Sequence, residues 1–260
     1  MSRAMMTSYD AVMARLTQDQ RDFYRENGWL LVNDLLPCSI DELRVAVEAV
    51  AANDELMQHY EMTDDGPRLA RSEYFIDASP VLDQVLRRSA ISDIAGELLG
   101  ESAFLYKEKI NYKHHGGAGF APHQDQPAYP TVNEVLSVMV AVDDSTVANG
   151  CLEVVSARHQ VTLEQDERGC IAAPIVAELE WSPVELTAGQ TLFFHGLTPH
   201  RSGANTSGRS RRALYPTYNR QSEGDLREEY YRLKREIFAS TADDGRPHIS
   251  LIGDFEGRPV

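Results

Sequence analysis

Between residues 102 and 219 the chain consists of short runs rich in β-branched and aromatic residues, separated by clusters of Gly, Pro, Asn and Asp. The runs are AFLYKEKINYK, LSVMVAVDD, CLEVVS, PVELTAGQTLFFH and RRALYPTYN. Short strands in such close succession favour an antiparallel sandwich or small barrel over alternating βαβ units. This β core restricts the choice of fold more than any other feature of the sequence.

The residues before this core have mostly helical patterns. LTQDQRDFYRENG has a capping candidate at Thr17 and a stop at Gly28, and a short apolar strand follows at 29–32. The stretch 79–100 predicts another helical region, in two pieces, that ends at Gly100. Both glycines have the position expected of C-terminal caps.

A further helix is predicted from the stretch SIDELRVAVEAVAANDELMQHY. Ser39 and Glu42 have the spacing of a capping box, in which each side chain bonds the backbone N–H at the other residue. Apolar residues then recur at helical spacing, so we expect the helix to extend through Tyr60.

The chain returns to a helical pattern after Asn219, in SEGDLREEYYRLKREIFAS, and its last residues are expected to form a tail or a lid. No Pro/Gly/Ser-rich linker separates helices from strands, which favours one domain over two. We therefore expect a single domain over 1–260, with a helical N-terminal layer at 1–101, a β core at 102–219 and a helical C-terminal tail at 220–260.

Charge and cysteine content limit the partners and the compartment. The formal net charge of −15 argues against a nucleic acid or an anionic membrane as partner, and the basic run GRSRR at 208–212 is short enough to be a solvated turn. The three cysteines include no C-x-x-C, and neither a secretory signal nor a membrane-spanning stretch is evident. We expect a cytoplasmic monomer or homodimer that acts on a small molecule.

The stretch GFAPHQDQPAY, residues 119–129, places His123 and Asp125 two positions apart among apolar, small or amide residues. In an extended strand these two side chains would point to one face and Gln124 to the other. Such a pair is either a hydrogen-bonded structural pair or two of the three ligands of a metal.

A third ligand can come from TLFFHGLTPHRSG, where His195 and His200 follow an apolar strand. Either histidine can reach the first pair if the β runs close into a barrel. Two neutral imidazoles and one carboxylate on one face of a metal form the facial triad of non-haem iron(II) oxygenases, which leaves coordination positions free. Zinc usually has a tetrahedral set with one open position.

Polar residues also alternate along KEKIN. Lys107, Lys109 and Asn111 share one face of a strand, while Glu108 and Ile110 share the other. Inside a barrel three polar groups need a polar guest, because burial without partners costs free energy. The alternative is a strand face exposed to solvent.

Three blocks in this order resemble the phytanoyl-CoA dioxygenase (PhyH-like) family of iron(II)- and 2-oxoglutarate-dependent oxygenases. They are KEKINYKHHGGAGFAPHQD, NGCLEVVSARH and TAGQTLFFHGLTPHRSGANTSGRSRRAL. The resemblance covers roughly residues 20–220 and implies a mainly β fold with flanking helices around a double-stranded β-helix (jelly-roll, cupin-like) core. It implies that His123, Asp125 and His200 bind the iron, whereas His195 lacks the RSGAN that follows His200.

The resemblance also implies residues that bind 2-oxoglutarate. Arg211 lies where the family has the arginine that pairs with the distal carboxylate, and a guanidinium suits this role because it binds a carboxylate through two parallel hydrogen bonds. Ser202 lies where the family often directs a hydroxyl toward the same carboxylate. Alternation places Arg209 on the face of Arg211 and Arg212 on the opposite face.

Further binding residues are expected from the strand and loop beside the H-x-D pair. We expect Lys107 and Asn111 near the co-substrate. Lys109, Gln126 and Tyr129 are the candidates for contact with the substrate.

The implied activity is hydroxylation of an unactivated C–H bond of a small metabolite, with O₂ and 2-oxoglutarate consumed and succinate and CO₂ released. The carboxylate of Asp125 favours hydroxylation, since related halogenases have a small residue there. The blocks look close to those of hydroxylases of small organophosphonates such as 2-aminoethylphosphonate, and natural-product hydroxylases have similar blocks. The alternatives are a non-oxidative metal-dependent hydrolase or isomerase of cupin type, or a non-catalytic barrel protein.

Overall fold

The computed structural model describes residues 16–241 and 249–260. Its helices are α1 (Gln18–Asn27), α2 (Ile40–Ala51), α3 (Pro80–Arg87), α4 (Ala90–Leu99), α5 (Ala173–Val176) and α6 (Arg227–Thr241). Its strands are β1 (Trp29–Val32), β2 (Met57–Thr63), β3 (Gly66–Glu73), β4 (Ala103–Lys107), β5 (Lys109–Lys113), β6 (Phe120–His123), β7 (Val135–Ala141), β8 (Leu152–Val154), β9 (Ser182–Val184), β10 (Thr191–His195), β11 (His200–Ser202), β12 (Arg211–Leu214) and β13 (Thr217–Arg220).

The strands form two antiparallel sheets. The large sheet has the order β1-β10-β7-β12-β5-β3-β2, with β13 joining β4 to β7, and the small sheet has the order β6-β11-β8-β9. The two sheets face each other and form the double-stranded β-helix that the sequence resemblance implies. No helix in the described part of the chain is long and apolar enough to cross a membrane.

Strand β7 shows how the two faces of the large sheet are used. All seven of its residues are buried, because helices cover one face and the small sheet covers the other. Val138 and Val140 pack into the core beneath α2, α3 and α4, whereas Met139 and Ala141 pack into the core between the sheets. Ser137 shares the second face and points toward the space between the sheets, where the polar residues gather.

The predicted helix ends agree with the structure. Thr17 and Ser39 both form capping boxes, and Gly28 and Gly100 end their helices with φ of 79° and 82°. A side chain in this left-handed region is strained, which explains why glycine is used there.

The prediction of helix through Tyr60 is wrong beyond Ala51. The helix α2 ends there, and residues 57–73 form the hairpin β2–β3, which joins the large sheet next to β5. The two residues of its turn are Asp64 and Asp65, and Gly66 begins β3 with a positive φ. The missed signal was this Asp-Asp-Gly cluster, since Asp and Gly are typical of turns. AFLYKEKINYK is likewise two strands, and Glu108 lies between them.

Candidate active site

The strand pairing of the small sheet brings two histidines together. His123 ends β6 and His200 begins β11, and the two are paired directly across the sheet, with ring centroids 4.1 Å apart. Asp125 lies beside them, and one ligand atom from each of the three residues falls within 4.8 Å of the others. All three side chains are buried. Among the described residues they are the one His/Cys/Asp/Glu group close enough to share a metal ion.

The local backbone differs from the sequence prediction at this point. Strand β6 ends at His123, and Asp125 has helical dihedral angles of −73° and −41° because it opens a short 3-10 turn. The carboxylate converges on the histidines through this turn and not through strand alternation. Gln124 points away, as predicted, and its amide donates to the carbonyls of Val161 and Leu197.

Hydrogen bonds fix the ring nitrogens that face the centre. Nδ1 of His123 donates to the Ala121 carbonyl at 2.7 Å, and Nδ1 of His200 donates to the Thr198 carbonyl at 3.0 Å. In a neutral imidazole the other nitrogen, Nε2, then carries a lone pair. Burial and the neighbouring ring of His123 lower the pKa of His200 to about 4, so this imidazole is neutral at pH 7.

The carboxylate of Asp125 is held ionised. Burial opposes ionisation, but His200 and the ammonium groups of Lys107 and Lys109 hold the pKa of this carboxyl well below its ordinary value. The hydroxyl of Ser137 donates to its Oδ2. Two neutral imidazoles and an oriented carboxylate on one side of an open space are the donor set of a facial triad, and this set fits iron(II).

A first cavity opens beside the triad and is lined by polar groups from both sheets. Lys109, Asn111, Ser202 and Tyr215 are among its lining residues. The strand alternation predicted for KEKIN is confirmed here, since Lys109 and Asn111 line the cavity while Ile110 and Tyr112 pack into the helix-side core.

Two buried cations lie behind the wall of the first cavity, where Lys113 bonds Ser202 and Arg211 bonds Tyr215, both of which line it. Arg211 is 1% exposed, and its Nη2 donates to the Gly150 carbonyl at 2.6 Å. Lys113 donates to the Ser202 hydroxyl at 2.8 Å and to the Gly203 carbonyl at 2.6 Å. In the part of the chain that the structure describes, neither cation is paired with a carboxylate, and Nε of Arg211 has no partner.

This pair of cations indicates an anion site. Burial, assisted by the charge of Arg211, lowers the pKa of Lys113 to about 6. Burial beside Arg211 disfavours the charged form of Lys113 in the absence of an anion, and a carboxylate placed between the two side chains would stabilise both positive charges. The site fits one end of a dicarboxylate whose other end lies near the triad.

A second cavity lies on the other side of Asp125. It is lined by Arg71, Lys107, Lys109 and Tyr129, among other residues. Lys107 donates to the Tyr129 hydroxyl, and Lys109 lies 5.5 Å from the Tyr215 ring centroid. Burial lowers the pKa of Lys109 to about 7, with the charge of Lys107 adding to the effect.

Residues 249–260, the C-terminal strap, cross the mouth of both cavities. The backbone N–H of Ala121 donates to the Asp254 carbonyl at 2.6 Å, and the rings of Phe120 and Phe255 lie 5.3 Å apart. Gly119 permits this packing, because an added Cβ would lie 2.5 Å from Oε2 of Glu256 on the strap.

Other predicted residues lie outside the two cavities. Gln126 braces its own loop by bonding the Val132 carbonyl and the Val135 N–H. His195 pairs with Glu134 at 3.2 Å and is not part of the triad.

The neighbours of Arg211 in the basic run also lie away from the site. Arg209 is exposed, and Arg212 points outward and binds Asp143 through two nitrogens. Alternation correctly placed Arg212 on the face opposite Arg211. Lys107 lies with Tyr129 in the second cavity and not beside Arg211.

Three polar residues of the site were not singled out from the sequence. Lys113 continues the alternation of Lys107, Lys109 and Asn111, so the pattern contained its signal. Arg71 and Asp254 are far from the motifs in sequence and reach the site only through the β3–β5 pairing and the C-terminal strap.

Comparisons with known proteins agree with this geometry. Residues 24–213 match the family model described as phytanoyl-CoA dioxygenase (PhyH). The chain is 42% identical to a methylphosphonate hydroxylase of Gimesia maris over 253 residues, which is 94% of this chain and 97% of the relative. It is 39% identical to a 2-aminoethylphosphonate dioxygenase of an uncultured bacterium over 261 residues, which is 95% of this chain and 100% of the relative.

Among solved structures, EctD from S. alaskensis with 2-oxoglutarate and 5-hydroxyectoine has a TM-score of 0.69 at 20% identity and covers 80% of this chain and 77% of its own. The epimerase SnoN with Fe³⁺, α-ketoglutarate and nogalamycin RO has a TM-score of 0.68 at 22% identity and covers 78% and 82%. At these identities the likeness supports the fold.

Proposed function

Since this chain belongs to the phytanoyl-CoA dioxygenase (PhyH) family of oxygenases, we propose that it is an iron(II)- and 2-oxoglutarate-dependent dioxygenase that hydroxylates a C–H bond of a small organophosphonate. The observation that carries the proposal is the convergence of His123, Asp125 and His200 beside a buried, unpaired cation site. A hydrolase or a non-catalytic barrel does not require a buried cation site beside the metal.

His123, Asp125 and His200 would hold the iron. When bound, iron(II) activates O₂ in a reaction that converts 2-oxoglutarate to succinate and CO₂ and inserts one oxygen atom into the substrate C–H bond. The backbone carbonyls that accept from both Nδ1 atoms keep the Nε2 lone pairs directed at the metal position. Ser137 holds one carboxylate oxygen of Asp125, which leaves the other oxygen directed at the same place.

Arg211, Lys113 and Ser202 bind the distal carboxylate of 2-oxoglutarate. The guanidinium and ammonium groups supply the charge, and Ser202 orients the ammonium. Asn111 lines the same cavity but donates no bond to Arg211; its amide oxygen accepts from Arg71 Nε at 2.9 Å. This bond ties the co-substrate wall to the second cavity.

The second cavity binds the substrate. Lys107, Lys109 and Arg71 give it a positive wall next to Asp125, which suits a phosphonate dianion. The relatives named for methylphosphonate and 2-aminoethylphosphonate support this class of substrate. Phe120 and Phe255 exclude water where the C-terminal strap covers the site.

The remaining features of the proposal concern the whole chain. It is one oxygenase domain, since β1, β2 and β3 of the N-terminal part pair with strands of the large sheet. It acts in the cytoplasm on a small molecule, as a monomer or homodimer, and has no nucleic-acid partner; the net charge of −15 supports the last point.

The test is oxygen incorporation. Purified protein with iron(II), 2-oxoglutarate and ¹⁸O₂ is given methylphosphonate or 2-aminoethylphosphonate, and succinate and product are analysed by mass spectrometry. We expect succinate and hydroxylated phosphonate in equal amounts, each with one ¹⁸O atom. Product whose new oxygen comes from water, or product formed without 2-oxoglutarate, would contradict the proposal and favour a hydrolase.

A further inference from the structure

Opposite charges lie on the walls of the same pocket, and the carboxylate of Asp254 forms no direct ion pair with a lysine or arginine among the described residues. Both cavities are lined by Lys109, Asp125 and Asp254. We propose that Asp254, on the C-terminal strap, binds an ammonium group of the substrate while the cationic wall binds its phosphonate, so that the substrate is a zwitterionic aminoalkylphosphonate. This inference rests on the proposed function and names the substrate class more closely.

Asp254 is a buried carboxylate without a hydrogen-bond donor. Its side chain is 3% exposed, and its Oδ1 has no partner among the described residues. Its Oδ2 lies 3.4 Å from Nε2 of His123. Nδ1 of this ring donates to the Ala121 carbonyl, so Nε2 is the nitrogen that would bind the metal, and in that role it has no proton to donate to Asp254.

The backbone around Asp254 is fixed, so the side chain is held in the pocket. Its carbonyl accepts from the Ala121 N–H at 2.6 Å, and the preceding Gly253 N–H donates to the Arg168 carbonyl at 2.8 Å. Burying a carboxylate oxygen without a hydrogen-bond donor costs free energy, which the more distant charges of Lys107 and Lys109 offset only in part. A ligand that brings a positively charged donor would recover it.

Two cationic side chains of this pocket have hydrogen-bond donors without partners. Lys109 forms no hydrogen bond or ion pair with the described protein atoms, and Nη2 of Arg71 is buried without a partner. Neither side chain lies within ion-pair distance of Asp254 in the described structure. The other two carboxylates that line the second cavity have donors: Asp125 accepts from Ser137, and Glu73 is bound by Lys234 through both oxygens, at 2.6 and 2.5 Å.

A guest with one sign of charge satisfies only part of this pocket. Methylphosphonate would bind the cations and leave Asp254 buried and unpaired. A guest that carries an ammonium group one or two carbons from the phosphonate can satisfy both walls. A site built for a polar group rejects an analogue that lacks it, because the buried partner is then left without a bond.

The experiment compares 2-aminoethylphosphonate with propylphosphonate, in which a methyl group replaces the ammonium, and with methylphosphonate. For the wild-type protein we expect kcat/KM for 2-aminoethylphosphonate to exceed that for propylphosphonate by roughly 10- to 100-fold, the range of one charge-assisted hydrogen bond. Asp254→Asn is expected to reduce this ratio at least about tenfold, mainly through KM. Glu256→Gln, an exposed carboxylate on the same strap, is the control and should leave the ratio unchanged.

Binding measurements keep the inference testable if the variant does not fold. Calorimetry on the wild-type protein loaded with Mn(II) and 2-oxoglutarate without O₂ should show tighter binding of 2-aminoethylphosphonate than of propylphosphonate. Equal affinity, a preference for methylphosphonate, or an Asp254→Asn variant that loses all substrates equally would overturn the inference and leave the proposed function intact. Turnover of none of the three phosphonates would overturn the proposed function itself.

Discussion

His123 and His200 are paired directly across two antiparallel strands, with their rings 4.1 Å apart and both Nδ1 atoms bonded to backbone carbonyls. The spacing of the two imidazoles is therefore set by the sheet, and their tautomers are set by the backbone. Only Asp125, on the turn after β6, depends on a side-chain partner, Ser137, for its orientation. A metal site whose histidines are fixed by main-chain geometry is pre-organised for its ion.

We expect Asp125→Ala to abolish substrate-dependent succinate formation while the protein stays folded. The substitution removes one of the three proposed metal ligands but no part of either hydrophobic core, and it leaves Ser137 without its acceptor. Iron content after reconstitution and succinate release are the measurements. His195→Ala, which changes a histidine outside the triad, is the control and should retain activity and iron. Full turnover by Asp125→Ala would refute the assignment of the ligands.

Arg211→Lys is expected to raise KM for 2-oxoglutarate by about 10- to 100-fold with a smaller effect on kcat. The substitution keeps the charge but loses the planar group that binds a carboxylate through two bonds. Steady-state kinetics with varied 2-oxoglutarate measure the effect. Arg209→Gln, at the exposed neighbour, should leave KM unchanged, and an equal rise in both variants would argue against Arg211 as the carboxylate ligand.

We predict that the amine of Lys113 takes up a proton when 2-oxoglutarate binds. Without an anion its pKa is lowered to about 6 by burial and by Arg211, so its amine is neutral at pH 8. A carboxylate beside it favours the charged form, and the amine then takes up close to one proton. Titration of the Mn(II)-loaded protein without O₂, in buffers of different ionisation enthalpy, measures this uptake. Lys113→Met should eliminate it, and proton release by the wild-type protein would contradict the prediction.

The lowered pKa of Lys113 also makes a contribution to the free energy of unfolding that depends on pH. The folded-state pKa of Lys113 lies below the ordinary value of 10.5, so the unfolded chain binds more protons between these values. Through this group the free energy of unfolding of the ligand-free protein therefore rises from pH 6 to pH 10. In Lys113→Met this contribution should be absent when unfolding in urea is compared at the two pH values.

A buried ion pair joins α6 to the large sheet. Glu108, between β4 and β5, is 0% exposed and accepts from Arg227 at 2.9 and 2.6 Å. Arg227→Met should lower the free energy of unfolding by about 3–5 kcal/mol, because it leaves a buried carboxylate without its partner. Urea denaturation measures this. Arg232→Met, at an exposed pair on the same helix, should have a much smaller effect, and similar losses for the two variants would contradict the prediction.

Local signals in the sequence were sufficient for much of the fold. The capping residues Thr17 and Ser39 and the stop glycines Gly28 and Gly100 act through their nearest neighbours, so their effect is visible in a short window. The hairpin β2–β3 was missed because the helical spacing of apolar residues before it extended past Ala51. Its place is set by pairing with β5, which no local window contains.

The residues of the site likewise include some that short stretches of sequence predict and others that they do not. His123, Asp125 and His200 lie in motifs, and Lys113 continues an alternation that begins at Lys107. Gln126 was expected to face the substrate, but its side-chain amide donates to the Val132 carbonyl and accepts from the Val135 N–H within its own loop.

Two residues of the site could not be anticipated from short windows. Arg71 and Asp254 enter the pocket from a hairpin and from the C-terminal strap, each more than 35 residues from the motif it approaches. Their role depends on tertiary contacts and could not be inferred from spacing.

The burial of every side chain of β7 has a consequence during synthesis. LSVMVAV carries no charge and has high β propensity, so before its neighbours fold it is a segment prone to intermolecular β aggregation. Glu134 lies just before it, and Asp143 and Asp144 lie just after it. These acids act as gatekeepers that keep the nascent strand apart from other chains, and in the native protein Glu134 and Asp143 are neutralised by Arg220 and Arg212.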